Sequence, residues 1–386
     1  MKKSGFLKVA VLSVFFIQMG IGTITPAIAS IAAAFPDIPF TTLLLVSTLP
    51  TLLSVPATLL SGRLAGSVVK YKTILVVGMV LFLGGGVAPY FIQDFTTILI
   101  FRGIFGVGLG LVMPLGAALI IAFFDGEVRA QMMGMSNVIA NVGGILFQLL
   151  GGLAASAMWG YSFLVHGIGA VTLILVLFLP EPEKPPVPQG GEAAPKMPGV
   201  VYGYAAAMLV IMMLNYPLLV NMSSVIEAGG MGNAATAALV LTMFTVGGML
   251  AGFVFAKIFG MFKQNTLAVG LLLISLGMVC MAFGNSIIFM YAAATSAGIG
   301  FSFIMPTIFM AIGASVPGPQ VAVASGLVVA AMNVGGFVSA YFFAFLAGIL
   351  GQTGSLRFPF FVGMICFAVA AVGYIIMKPK DKQVQA

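Results

Sequence analysis

Apolar stretches of about twenty residues or more follow one another along almost the whole chain, separated by short polar breaks. Because backbone groups in lipid must form their hydrogen bonds within the segment, such stretches predict transmembrane helices and not the alternating strands of a membrane barrel. Only 6% of the 386 residues are charged, against roughly a quarter in soluble domains. A soluble enzyme, a secreted disulfide scaffold and a disordered chain are therefore excluded.

The positions of the charged and turn-rich breaks predict twelve spans, so the expected fold class is an all-α membrane protein. The first span follows Met1-Lys2-Lys3, but its apolar run is longer than the core of a signal peptide, and we interpret it as the first membrane helix. The predicted spans are residues 7–32, 40–66, 73–92, 95–122, 129–157, 160–179, 200–227, 233–259, 266–285, 287–314, 319–349 and 355–377.

The sixteen lysines and arginines are distributed very unevenly between the two sides that these spans define. Arg102 lies inside a span and Arg357 falls on one side, whereas all the others fall on the side that carries both termini. Positive residues concentrate on the cytoplasmic side of membrane proteins. The sequence therefore predicts a multi-pass protein of the cell membrane with both termini cytoplasmic, and the formal charge of +7 requires no nucleic-acid partner.

Residues 180–199 form the one long polar stretch, and their proline and glycine content is unsuited to a helix. We interpret them as a cytoplasmic linker between an N-terminal six-helix bundle, 1–179, and a C-terminal one, 200–386. Motifs repeat across this linker at an offset of about 190 residues. The pairs are Gly108-Leu109-Gly110 and Met113-Pro114 with Gly298-Ile299-Gly300 and Met305-Pro306, Asn141-Val142-Gly143-Gly144 with Asn333-Val334-Gly335-Gly336, and Gly62 and the basic residues after it with Gly252, Lys257 and Lys263.

An even number of helices in each repeat makes the two halves parallel, which is one layout of secondary transporters that rock about a site near the midplane. Over its whole length the chain resembles the Major Facilitator Superfamily. The loop from Gly62-Arg63 to Lys70-Tyr71-Lys72 is similar to the family's Gly-x-Leu-Ala-Asp-Arg-x-Gly loop, with Gly66 in place of the Asp. The segment 102–106 is similar to its Arg-x-x-Gln-Gly pattern, and 143–152 resembles its antiporter motif.

The resemblance implies a twelve-helix fold of two pseudo-repeats that transports a solute by alternating access. It also implies that Gly62, Arg63, Lys70 and Lys72 belong to a gating loop. The family's Asp in this loop helps to lock the cytoplasmic gate, and its replacement by Gly66 predicts that this lock differs here.

Arg102 is the one charge well inside a predicted span, about seven residues from the middle of the fourth helix and so roughly 10 Å from the midplane. A charge at this depth is costly, about 2.5–3.5 kcal/mol near the centre of the membrane. One interpretation is that Arg102 faces the cavity and binds an anionic group or couples to a proton. The other is that it only holds helices together through backbone carbonyls and amide side chains.

Amide side chains form the other candidate set. Asn137, Asn141 and Gln148 fall on one stripe of the fifth helix, together with Gly144, and such a stripe either lines the cavity or mediates close packing. Gln18 on the first helix and Asn333 on the eleventh lie on similar stripes.

The seventh helix carries polar residues around a proline that bends it. Asn215, Tyr216 and Asn221 surround Pro217, and they either border the substrate site or mark a hinge. His166 is the one histidine of the chain, and it is either a proton or substrate group or a hydrogen-bonded structural residue.

The sequence contains no Walker loop, metal-ligand cluster or nucleophile–base pair, so an ATP-driven pump and a membrane enzyme lose support, and no cofactor or metal is expected. Cys280 and Cys366 lie inside predicted helices and are interpreted as packing groups.

The first, fourth and fifth helices have no deep acidic residue, whereas family members that expel cationic drugs usually carry one. Arg102 in an otherwise neutral cavity favours a carboxylate-bearing or neutral substrate.

The preferred hypothesis is a monomeric secondary transporter that exports an amphipathic or anionic small molecule, coupled to a proton or a counter-solute. One alternative is a carrier that takes up or exchanges organic anions. A second is a polytopic binding or signalling protein that does not transport.

Overall fold

The computed structural model describes residues 5–66, 68–124, 126–182, 197–316 and 318–377. In this part of the chain every regular element is a helix, and each lies within a few residues of a predicted span. The spans are α1 (Gly5–Ala34), α2 (Leu45–Leu64, preceded by the turn Phe40–Leu43), α3 (Tyr71–Phe91), α4 (Phe95–Phe123), α5 (Gly126–Ala157), α6 (Tyr161–Leu177), α7 (Gly199–Ala228), α8 (Ala234–Phe262), α9 (Thr266–Phe283), α10 (Ile287–Ser315), α11 (Gly318–Ile349) and α12 (Phe358–Met377). Most of the predicted linker, 183–196, lies outside the described residues.

Eleven of the described helices are long and apolar enough to cross a membrane, and α6 is shorter. Its two ends nevertheless meet the two ends of α3. At one end, the Tyr161 ring lies 5.8 Å from that of Tyr90. At the other, the Glu181 carboxylate just beyond α6 accepts hydrogen bonds from the first amides of α3. The short α6 therefore spans the same length of the bundle as α3, and the described residues form twelve helices that run between its two ends.

The end of the bundle where α6 finishes and α7 begins is called the linker face, and the opposite end the far face. The two halves repeat the same helix crossings. A Cβ on Gly78 of α3 would lie 3.0 Å from the Gly108 carbonyl of α4, and one on Gly270 of α9 would lie 2.7 Å from the Gly300 carbonyl of α10. Both crossings need glycine because the helix backbones touch, as small residues permit in membranes.

The packing between the halves, within the described residues, gathers at the far face. Gly152 of α5 lies directly against Ala234 and Ala238 of α8. Leu44 in front of α2 packs in one buried cluster with Tyr216 and Val220 of α7. This arrangement closes the bundle at the far face.

The loop between α2 and α3, which the resemblance predicts to be a gating loop, is built around a glycine and an acidic residue from beyond α6. Gly66 has a φ of +74°, and a Cβ there would meet the ring of Tyr71. A glycine is therefore required where the family loop has its Asp. Glu181 accepts hydrogen bonds from the amides of Tyr71 (2.7 Å) and Lys72 (3.1 Å), so a carboxylate caps the positive end of α3. Lys70 lies just before this helix, and Gly62 has open space around it.

Replacing Glu181 by alanine is expected to lower the apparent Tm of the purified protein by about 2 °C, because the loss of a helix cap costs about 1 kcal/mol. Glu181→Gln keeps one acceptor and should lose less. Lys72→Ala is the matched control, since Glu181 binds the backbone amide of Lys72 and not its side chain. Equal Tm values for Glu181→Ala and the wild type would contradict the capping role.

Candidate substrate site

Arg102 is completely buried in α4. Its Nε donates a hydrogen bond to the Val46 carbonyl of α2 at 2.8 Å, and its guanidinium carbon lies 4.3 Å from the centre of the Phe105 ring. Both terminal nitrogens, Nη1 and Nη2, have no hydrogen-bond partner among the described residues. The residue thus connects two helices through one nitrogen, while the two nitrogens of the planar fork, which can bind a carboxylate, bond to no described residue.

Tyr216 approaches this fork from the other half of the molecule. It lies on α7 in the neighbourhood of Arg102, and its hydroxyl lies near those of Ser47 and Thr51 on α2. The ring also lies 3.1 Å from the Cβ position of Gly336 on α11. Arg102 is therefore packed within the first half, and Tyr216 of the second half lies in its neighbourhood.

Hydroxyl residues of α2 are the part of this site that the amide-based interpretation missed. Ser54, Thr58 and Ser61 continue the stripe that Ser47 and Thr51 begin, at spacings of three and four residues. Thr58 donates to the Gly110 carbonyl at 3.0 Å and Ser61 to that of Leu111 at 2.7 Å, so the stripe faces α4. The signal was present in the sequence as a one-sided row of hydroxyl groups in an apolar helix.

The amides of α1 and α5 lie at the interface of these two helices with α4. Gln18 Nε2 donates to the Met113 carbonyl at 3.2 Å, and Gln148 lies beside Gly22, with its Oε1 buried and without a partner in the described part of the chain. Asn141 is half-buried. The side chain of Asn137 lies outside what the structure describes.

Two glycines of the 143–152 motif in α5 pack against backbone. A Cβ on Gly143 would meet the Phe16 carbonyl of α1, and one on Gly151 that of Thr23. Gly335 of α11 meets the Leu209 carbonyl of α7 in the same way. The glycines of this motif therefore mediate close packing, and Asn333 lies half-buried two residues before the contact on α11.

The polar residues of α7 separate into two places. Asn215 is fully buried next to Tyr216 in sequence, and neither atom of its amide has a partner among the described residues. Asn221 lies one turn beyond the proline and lines a cavity at the far face, apart from Arg102's fork. The proline thus divides the helix into a segment near the arginine and a segment at the gate.

His166 is fully buried among aromatic rings. The centres of the Phe105 and Phe82 rings lie 4.8 and 5.9 Å from its own, and its Nδ1 lies 3.0 Å from the Phe163 carbonyl. Its Nε2 is buried and has no hydrogen-bond partner among the described residues. This packing favours the structural interpretation of His166.

The acidic side chains that the structure describes all lie at or beyond helix ends; they are Asp37, Asp94, Glu181 and Glu227. Hydrogen bonds from the hydroxyl and then the amide of Thr97 hold the pKa of Asp94 below its usual value, so this carboxylate caps α4 in its charged form. No carboxylate described in the structure pairs with Arg102.

A family model described as Major Facilitator Superfamily matches residues 10–260, which is more than half of the chain. The chain belongs to this superfamily. It is accordingly a transport protein and not an enzyme.

Curated proteins of the Major Facilitator Superfamily match parts of this transporter. Multidrug resistance protein 3 of Bacillus subtilis (strain 168) is 29% identical over 108 residues, which are 28% of this chain and 21% of that protein. Multidrug transporter protein MdtP of the same organism is 25% identical over 119 residues, 30% of this chain and 22% of its own length. The matches thus span about a fifth of the length of these relatives.

Solved transporter structures share the fold along nearly the whole chain. A nucleoside transporter, NupG, superposes with a TM-score of 0.76 at 12% identity and covers 97% of this transporter and 100% of that chain. A D-xylose-proton symporter gives 0.74 at 16% identity, with 97% and 98% covered. At these identities the comparison shows the fold alone.

Proposed function

We propose that this transporter carries small amphipathic organic anions, and that Arg102 binds their anionic group. The observation that supports the proposal is the buried fork of two nitrogens without a partner among the described residues. A guanidinium stays protonated in proteins. An uncompensated buried charge is strongly destabilising, by about 3–5 kcal/mol when a partner is removed. A carboxylate, sulfonate or phosphate group on the substrate would supply the missing partner in bidentate geometry.

The two bundles, 1–179 and 200–386, are the proposed moving units. Arg102 belongs to the first bundle and Tyr216 to the second, so an anion held between them would contact both halves. Separation of the far-face contacts would uncover Arg102 to one side of the membrane. The lysine and arginine distribution supports a linker face in the cytoplasm and a far face outside.

Export coupled to a proton or a counter-solute is the proposed direction, supported by the multidrug names of the two curated relatives. Anion exchange is the second candidate, and one specific observation favours it. The far face is closed while Arg102 Nη1 and Nη2 have no partner among the described residues, which makes this state costly for the empty protein. If the carrier closes readily only when an anion is bound, its binding site returns across the membrane faster with an anion than without one. Such a carrier exchanges one anion for another.

The test is flux in liposomes that contain the purified protein. Labelled benzoate, an alkyl sulfonate, the matching neutral amide and the matching alkylammonium are loaded inside, and efflux is followed with and without a pH gradient and with and without unlabelled anion outside. We expect efflux of the anions well above protein-free liposomes. Acceleration by the pH gradient indicates proton coupling, whereas acceleration by outside anion indicates exchange. Transport of the alkylammonium in preference to the anions would overturn the anion proposal.

A further inference from the structure

A cavity of about 250 Å³ lies at the far face between the two halves. The segment in front of α2 forms one wall through Phe40 and Leu44, and α7, α11 and α12 form the others. The floor is apolar and buried, with Val220, Phe343 and Phe358 each less than a tenth exposed. The mouth is the exposed polar loop 352–355.

A buried polar atom that lines this apolar cavity has no partner in the described part of the chain. Asn221 lines the cavity and is only 6% exposed, and its Oδ1 accepts no hydrogen bond from any described residue. An unsatisfied buried acceptor is costly. Ser339, the other buried polar side chain in the wall, already donates to the Met213 carbonyl at 2.7 Å. The Asn221 Oδ1 atom therefore requires a hydrogen-bond donor that no described residue around the cavity supplies.

None of the residues that line the cavity is charged. A charged ligand would lose its hydration without gaining an ionic partner. A volume of this size holds roughly a dozen non-hydrogen atoms, at the small end of ligand pockets. These features select a small, uncharged molecule with an apolar body and one hydroxyl or amide N–H.

We propose that this cavity is a second ligand site, which binds a small uncharged amphipathic molecule that donates a hydrogen bond to Asn221, and that its occupant holds the far face closed. The second part rests on the alternating-access function proposed above. Both halves build the walls, so the site exists only while Leu44 stays packed against α7. A ligand that binds one state only shifts the equilibrium toward that state. The occupant therefore inhibits transport without competing for Arg102.

The first experiment compares para-pentylphenol with its methyl ether, which has the same apolar body but no O–H. Binding to the full chain in nanodiscs is measured by equilibrium dialysis for the wild type, Asn221→Leu and Asn285→Leu. Asn285 is exposed and lies outside the cavity wall, so it serves as the matched control. We expect Asn221→Leu to weaken phenol binding about ten-fold and to leave ether binding within about two-fold, as the loss of one hydrogen bond predicts. Each compound is compared with itself between wild type and variant, so its partition into lipid, which is the same in both samples, does not affect the ratio of binding constants.

Equal binding of the phenol to the wild type and Asn221→Leu would overturn the site. Ala347→Leu provides a second variant, because Ala347 lines the cavity and a larger side chain there should exclude both compounds. Unchanged binding of both compounds to Ala347→Leu would also contradict the assignment.

The second experiment tests the link to closure. Gly152→Leu, which prevents the close contact between α5 and α8, should weaken phenol binding about ten-fold because the cavity loses one wall. In transporting liposomes the phenol should lower the maximal anion flux without raising KM. Undiminished binding to Gly152→Leu would overturn the closure part. If no solute flux is found at all, the transport proposal fails, while the dialysis results still decide whether the site exists.

Discussion

Arg102→Leu is expected to abolish anion transport while making the empty protein more stable. The substitution removes two charge-assisted hydrogen bonds to the substrate, each worth about 1.5–3 kcal/mol, so the flux at low anion concentration should fall at least about a hundred-fold. The same change removes an uncompensated buried charge, and such replacements by apolar residues are often stabilising by about 1–4 kcal/mol. Flux into liposomes and the apparent Tm of the same preparations measure the two effects.

The opposite signs of these effects separate the two interpretations of the residue. An arginine that only connects helices through its Nε and the Val46 carbonyl would lower stability when lost. Arg102→Lys keeps the charge but lacks the planar fork, so it should retain transport reduced by about ten-fold. Arg357→Leu is the matched control, because Arg357 Nη1 donates to the Ala282 carbonyl at 3.2 Å, away from the proposed site. Wild-type anion flux in Arg102→Leu would refute the substrate role.

Gly152→Leu is expected to hold the far face open and to reduce transport at least about a hundred-fold. A Cβ at this position would meet the Ala238 side chain and lie 2.7 Å from the Ala234 carbonyl, so the closed packing of α5 against α8 has no room for it. Overpacking costs about 1–3 kcal/mol, and occasionally more. A penalty of about 3 kcal/mol confined to the closed state changes the ratio of the two states by more than a hundred-fold.

Whether the far face is open or closed is measured by labelling a cysteine introduced between the two halves. Val220 is 2% exposed between the halves, and Val220→Cys, in a chain where Cys280 and Cys366 are replaced by alanine, should react with an impermeant maleimide much faster when Gly152 is leucine. Gly203→Leu is the control, because a Cβ at Gly203 has no atom within 4 Å. Slow labelling of the Gly152→Leu protein together with normal flux would show that this contact does not control the gate.

The helices and their repeat were largely predictable from the sequence. Each predicted span corresponds to a helix because apolar length and charged breaks are local properties that the membrane itself imposes. The repeated motifs predicted two parallel repeats, and the contacts of Gly78 with Gly108 and of Gly270 with Gly300 are equivalent crossings in the two halves. Gly66, which departs from the family loop, has its explanation in the positive φ that the local turn requires.

The set of residues that forms the candidate substrate site was less predictable from the sequence. Arg102 stood out because a charge within an apolar helix is rare and costly. Tyr216 was a candidate because of its place beside Pro217, but its closeness to Arg102 was not predictable, and Val46, Ser47 and Thr51 were not candidates. These residues come from two helices that are far apart in the sequence. Asn221 and His166 shared the polarity of the other candidates, but the fold places one at a far-face cavity and the other among phenylalanine rings.

By itself the sequence determined the class of protein, the number of helices, the parallel repeat and the one deep charge, since all four follow from composition and spacing along the chain. Only the tertiary structure decided that the far face is closed, that glycines of α5 serve packing, and that the fork of Arg102 lacks a partner among the described residues. These properties depend on which helix faces which. In a chain that is apolar nearly everywhere, hydrophobicity does not distinguish a helix face that contacts lipid from one that contacts protein. Close backbone contact between small residues determines which faces pack against other helices.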